Sequence, residues 1–140
     1  MSKFAVKINK LSNSEQNEIG IFLSYTRRSD TELFEHLVNK LTTNGINVLS
    51  DSKITLGSED FSKEIKKMLS MSIASVVILP TDGDFSPWVT YEIALLESSG
   101  KDIYLYQKEA INYTLPSYLQ KYEPVINEED QLIEILKSNT

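Results

Sequence analysis

Two hydrophobic periods alternate along this chain, and that alternation constrains its fold more than any single residue does. Ile19 to Tyr25 (IGIFLSY) is an almost unbroken apolar and aromatic run, the pattern of a strand buried on both faces. Thr26 to Asp30 interrupts it with polar, cap-forming residues. Leu33, Phe34, Leu37, Val38 and Leu41 then recur at the spacing of one helix face. Ser29 and Glu32 have the spacing of a capping box that puts Ser29 at the N-cap, and Asn44 with Gly45 supplies the stop.

The cycle then repeats. Ile46 to Leu49 reads as a second strand, and after the loop Ser50 to Gly57, Ser58 caps a helix whose Phe61, Ile65, Met68 and Leu69 point inward. Ala74 to Leu79 is the third strand, followed by the turn residues Pro80 to Phe85 (PTDGDF). Ser86 as N-cap and Pro87 at the first helical position open a helix that Gly100 closes. Ile103 to Tyr106 makes a fourth strand, and Thr114 to Tyr122 is irregular or briefly helical around Pro116. Pro124 to Ile126 is a short fifth strand and Glu128 to Leu136 a closing helix.

Strands alternating with helices imply right-handed crossovers and a mostly parallel sheet covered on both faces. Five such units predict a flavodoxin-like three-layer α/β fold with strand order 2-1-3-4-5. With 140 residues, 41% of them hydrophobic and 24% charged, the chain has enough apolar material for one domain. That domain is expected to span 19–140. Residues 1–18 read either as a tail or as an added edge strand, since Phe4, Val6 and Ile8 alternate but the polar stretch Ser12 to Glu18 separates them from the rest.

Composition removes several function classes. The 14 basic and 20 acidic residues give a net charge of −6, which disfavours holding nucleic acid or a membrane surface by bulk positive charge. Zero cysteines exclude thiol catalysis, disulfides and thiolate metal sites, and the single histidine excludes motifs that need two. His36 falls among Glu32, Glu35 and Lys40 on the polar face of its helix, so it reads as a surface residue. The carboxylates show no metal-loop spacing, and no metal site is expected. The longest apolar run, Ile73 to Leu79, is too short to span a bilayer and the N-terminus lacks a secretory core, so a cytoplasmic location is expected.

In the expected strand order the sheet reverses between strands one and three, and ligands bind outside the carboxyl ends of strands at such a switch point. Ser24 to Asp30 and Pro80 to Trp88 are therefore the segments of interest, with Asp51 to Gly57 on the flank. Neither GxGxxG nor a P-loop is present, and the chain has five glycines. Phosphate would have to be held by Arg27 and Arg28 or by the free amides of the helix near Asp30; two solvated arginines are the alternative. Trp88 and Glu92 stand one turn apart on the helix from Pro87, either as one wall of a site or as a solvated boundary pair.

Three segments in order, Phe22-Leu23-Ser24-Tyr25, Asp51 through Leu56-Gly57, and Ser86-Pro87-Trp88-Val89-Thr90-Tyr91-Glu92, together resemble the Toll/interleukin-receptor/resistance (TIR) domain family. The form SxWVxxE is similar to the branch found in bacterial, plant and axonal TIR proteins that cleaves NAD+. The resemblance implies that Glu92 is the catalytic glutamate and that Trp88, with Ser86 beside it, walls the nicotinamide-ribose pocket. Tyr25 and Arg27 would belong to the nucleotide-binding loop. Asp51 to Gly57, with Leu56 as an apolar contact, would mediate packing between TIR domains, and Asp51 and Leu56 would also belong to the substrate-binding set. The chain departs from the family pattern at Leu49-Ser50, where many members have an aromatic, and at Thr26, where an arginine is sometimes found.

The implied activity is an NAD+ glycohydrolase, an ADP-ribose cyclase, or both, with NAD+ as substrate, no cofactor, and a bacterial antiphage role. A sensor would be a further domain or a separate partner chain. The alternative is a non-catalytic TIR scaffold. One carboxylate suffices for the chemistry: nicotinamide leaves NAD+ as a neutral molecule, so no general acid is needed of the kind glycosidases use. What remains is stabilising positive charge on the ribose. A phosphoacceptor receiver domain shares the strand order and an Asp82-Gly83 pair, but it requires an acidic cluster where this chain has Ser24 and Tyr25.

Overall fold

The computed structural model describes residues 19–26, 30–50 and 61–139. Within them, strands β1 (Gly20–Ser24), β2 (Val48–Leu49), β3 (Ser72–Ile78) and β4 (Asp102–Tyr106) form one sheet in the order β2-β1-β3-β4. Every pairing is parallel, with Ile21 opposite Val48 and Ala74, and Val77 opposite both Ser24 and Leu105. Helices α1 (Thr31–Thr43), α2 (Phe61–Ser70), α3 (Pro87–Ser99) and α4 (Glu129–Asn139) cover the sheet, and a 3-10 turn spans Ser117–Tyr122. This is the flavodoxin-like arrangement that the alternating periods predict.

The pleat divides the core in two. Ile21, Leu23, Ala74, Val76 and Ile78 pack with Phe34, Leu37 and Leu41 of α1 and Leu132, Ile133 and Leu136 of α4. Phe22, Val77, Leu79, Ile103 and Leu105 pack on the other side, with Ile65 and Leu69 of α2 and Val89, Ile93 and Leu96 of α3. Adjacent residues of β1 thus serve opposite helical layers, which is why its sequence shows no polar alternation.

Several boundaries differ from the sequence expectation for reasons of backbone bonding. Helix α1 has Asp30, not Ser29, at its N-cap position. The Asp30 amide closes onto the Thr26 carbonyl at 2.9 Å, and the helical ladder starts with Phe34 N–H to Asp30 O at 2.9 Å. At its other end Gly45, at φ +79°, donates to Thr42 O, and Ile46 donates to Leu41 O, the double bond of a Schellman stop. Ile46 has spent its amide there, so β2 contains Val48 and Leu49 and not the expected Ile46 to Leu49.

The fifth strand is reduced to one bridge. Ile126 pairs in parallel with Tyr106, donating to Leu105 O at 2.8 Å and accepting from Gln107 N–H at 3.1 Å. Pro124 has no N–H to extend the ladder. The Asn127 side chain takes the next carbonyl instead, at 2.7 Å from Gln107 O. Helix α3 matches expectation at both ends: Ser86 Oγ accepts from Val89 N–H at 3.1 Å, and Gly100 closes it at φ +73°. The calls on 1–18, on the cap Ser58 and on the loop 51–57 lie outside the described residues.

Gly20 sits where the chain after α1 passes closest to β1. A methyl group there would lie 2.7 Å from the Asn47 carbonyl oxygen, which already accepts the Ile21 amide at 2.9 Å. Neither group can move without opening the β1–β2 pairing. Gly20→Ala is expected to destabilise the fold by about 1–3 kcal/mol, read by urea denaturation. A change below about 0.5 kcal/mol would show that the Asn47 turn yields freely.

Candidate active site

Ser24 is the last residue of β1 and shares the pleat face of Phe22, so it points into the layer covered by α2 and α3. Glu92 comes to meet it from α3. On that helix Val89, Glu92, Ile93 and Leu96 form the buried stripe, so a carboxylate occupies a position that an apolar side chain would ordinarily fill. Ser24 is 1% exposed and Glu92 1% exposed. The Ser24 hydroxyl donates to Glu92 Oε1 at 2.7 Å, across 68 residues of sequence. A hydroxyl donor offsets part of the cost of holding a carboxylate away from water.

The neighbouring aromatics divide between the two layers. Tyr25, one residue beyond Ser24, faces the opposite side and stacks on Phe34 of α1, with ring centroids 4.0 Å apart and planes 11° apart. Its ring is part of the core under α1. Trp88 is half-buried against the α2–α3 cluster and contacts Tyr91, centroids 4.9 Å apart and tilted by 34°. Tyr91 remains 37% exposed, so this pair forms an aromatic edge on α3, beside the buried glutamate.

The strand ends around this point are tied down. Gln107, at the end of β4, donates from Nε2 to Leu79 O at 2.6 Å and accepts the Glu109 amide at 3.2 Å. The Tyr113 hydroxyl donates to Pro80 O at 2.6 Å, while its ring meets Phe85 edge-on and lies over Gly83. Burial, and then the negative charges of Asp30 and Asp82, push the Tyr113 hydroxyl up to about 12. On the α1 side of the same strand ends a cleft of about 440 Å³ opens among Asp30, Glu32, His36, Thr81, Lys108 and Glu109. Glu92 faces the other layer, so this cleft is a separate concavity.

The residues singled out from sequence therefore separate in space. Glu92 and Trp88 lie on one helix at the expected end of the sheet, but the carboxylate is enclosed and not a solvated boundary group. Ser86 holds the start of that helix, its Oγ engaged by Val89 N–H. Tyr25 is at the end of β1 but turned into the α1 layer. Arg27, Arg28, Asp51, Leu56 and Gly57 lie outside the described residues. His36 is exposed and pairs with Glu129 at 2.5 Å. Ser24 and Tyr91 are additions. The signal for Ser24 was a serine at an inward position of an otherwise apolar run; for Tyr91 it was an aromatic three residues after Trp88.

Among the described residues, no group of three or more His, Asp or Glu is placed to hold a metal ion. No helix among them is long and apolar enough to cross a membrane.

A parallel flavodoxin-like sheet with an enclosed carboxylate held at the end of its first strand defines a class of α/β domain. The family model for the TIR domain matches residues 21–128, and the chain belongs to that family. No curated protein matches the sequence. Among solved structures it is similar to the TIR domain of the Toll-related receptor TRR-2 from Hydra magnipapillata, at 16% identity and a TM-score of 0.64, covering 85% of this chain and 92% of that one. It is also similar to the Clostridium botulinum CMP N-glycosidase BcmB, at 19% identity and a TM-score of 0.55, covering 86% and 98%. The RPS4 and RRS1 TIR domain heterodimer matches at 17% identity and a TM-score of 0.57, covering 86% and 95%. At these identities the likeness is one of fold.

Tyr113 gives this region a pH signature. Its folded-state value, about 12, lies above the ordinary 10.0, so the folded protein keeps the proton longer than the unfolded chain. The contribution is complete below the unfolded value and is lost as pH rises from about 10 towards about 12. Urea midpoints measured across that window should fall more steeply for the parent protein than for Tyr113→Phe, which is less stable at neutral pH because Pro80 O loses its donor. Equal slopes would remove Tyr113 as the cause.

Proposed function

We propose that this chain is an NAD+ nucleosidase that breaks the nicotinamide–ribose bond, acting as a glycohydrolase, an ADP-ribose cyclase, or both. The observation that carries the reading is Glu92: a carboxylate with 1% exposure, at the switch point of a TIR fold, one turn after a tryptophan. In a water-poor site a negative charge stabilises a developing ribosyl cation far better than in solvent. Nicotinamide departs neutral, so no second carboxylate has to protonate it. The likeness to a protein named as a CMP N-glycosidase supports N-glycosidic bond cleavage as the reaction class.

In this reading Glu92 acts on the ribose and the Trp88–Tyr91 edge receives the flat nicotinamide. Arg27 binds the pyrophosphate, with Tyr25 in the same loop. Ser86 sets the helix start that aims Trp88 and Glu92. NAD+ is the substrate and no cofactor takes part. The setting we propose is cytoplasmic, as an antiphage immune effector or signal generator, with the trigger on a further domain or a separate chain. Loop 51–57, with Asp51 and Leu56, mediates self-association. The solved TIR heterodimer supports assembly between TIR domains as a property of the fold.

Near-complete burial of Glu92 favours a second reading, in which the carboxylate is only a structural tie within a non-catalytic TIR scaffold. Incubation with NAD+ separates the two. Glu92→Gln preserves size and hydrogen bonding but removes the charge, so nicotinamide release should drop at least about a hundredfold with the fold intact. Parental turnover by that variant would remove Glu92 from catalysis.

A substrate must also gain entry to an enclosed carboxylate, and we assign that opening to assembly. Specific activity should therefore rise with protein concentration, and substitution of Leu56 should blunt the rise. A rate per molecule that is constant from dilute to concentrated protein would rule out dependence on assembly.

A further inference from the structure

We propose that Ser24 is the positioning residue for Glu92, holding its carboxylate at the angle and in the charged form that the reaction uses; this rests on the nucleosidase reading. The two meet in a layer that also holds Phe22, Val77, Val89, Ile93 and Leu96, with Ser75 of β3 as a further buried hydroxyl, and each of the two is 1% exposed. A serine and a glutamate meeting inside an apolar layer cost stability compared with two well-packed aliphatic side chains. Their presence there calls for a purpose other than packing.

Geometry makes Ser24 the anchor and Glu92 the group being anchored. Ser24 has one side-chain torsion that places its hydroxyl oxygen, and its backbone is locked in the ladder opposite Val77 of β3. Glu92 has three torsions and a long reach, so its carboxylate needs an outside contact to stay at one angle. The 2.7 Å bond from Ser24 supplies it. The serine hydroxyl donates a hydrogen bond to the carboxylate and keeps its own proton, so it orients the group without neutralising it. Misplacement of a stabilising charge by about 1 Å costs up to about a hundredfold in rate.

Ser24 touches the carboxylate and not the ribose, so its removal should act on turnover and not on substrate binding. Ser24→Ala should lower kcat for NAD+ by about ten- to a hundredfold with KM within about twofold of the parent. Ser24→Thr keeps the hydroxyl and should restore most of the loss. Ser24→Cys keeps the volume with a weak donor; it should fall between, and it decides the matter if either other variant is poorly folded. Infrared difference spectra give a readout independent of turnover. The carboxylate band that disappears in Glu92→Gln should shift in Ser24→Ala and return in Ser24→Thr.

Unchanged kcat in Ser24→Ala would overturn the proposal. So would an equal loss in all three variants, which would mean that packing at the end of β1 matters and the hydroxyl does not. An increase in kcat would also overturn it, identifying the bond as a latch that keeps the carboxylate from the substrate. If Glu92→Gln retains parental activity, the nucleosidase reading itself fails and positioning for catalysis fails with it. An unmoved band in Ser24→Ala, with Glu92→Gln inactive, would instead sink Ser24 alone.

Discussion

Strand β1 has no face open to water, and it lies inside the sheet. It is paired with β2 on one side and β3 on the other, and all five of its residues are buried. Such a strand cannot shift register by one residue without exchanging the side chains that serve its two helical layers. Phe22 would have to enter the space filled by Leu23 and Ile21, and Ser24 would turn away from α3. The placement of the polar residue at its end is thus enforced by the apolar residues before it. Gly20 adds to this, since only a residue without a side chain admits the close pass of Asn47.

What was legible in the sequence is what local chemistry decides. Helix α3 begins at Pro87 and ends at Ser99 because a serine cap, a first-turn proline and a left-handed glycine each act on their own few residues. The order of the strands followed from the alternation of periods and the rule of crossover handedness. The length of β2 did not, because it depends on which partner Ile46 N–H chooses, and the helix stop claims that amide. The fifth strand shrank to Ile126 for a related reason: Pro124 and the Asn127 side chain withdraw the groups that a longer ladder would use.

The site divides along the same line. Glu92 could be placed one turn from Trp88 by spacing alone, but spacing on a helix says nothing about what lies opposite. Whether that edge faces water or a hydroxyl is determined by the pleat of β1, 68 residues earlier in the chain. Tyr25 illustrates the converse. Adjacent to Ser24 in sequence and expected at the same site, it is sent to the other side of the sheet by the two-residue period and stacks on Phe34. In a parallel sheet, neighbours in sequence at a strand end belong to different rooms.

The long span of the Ser24–Glu92 bond has a consequence for the order in which the protein matures. β1 lies near the start of the described chain, whereas its partner carboxylate lies on α3, beyond β3 in sequence. Contacts that close large loops form late, because chain entropy must be spent before they are rewarded. A nascent chain or a fragment ending before α3 carries the hydroxyl without the carboxylate. An excised α3 carries the carboxylate without its anchor. The pair therefore exists only where β1 and α3 are folded against one another, and it reports the docking of two elements far apart in the chain.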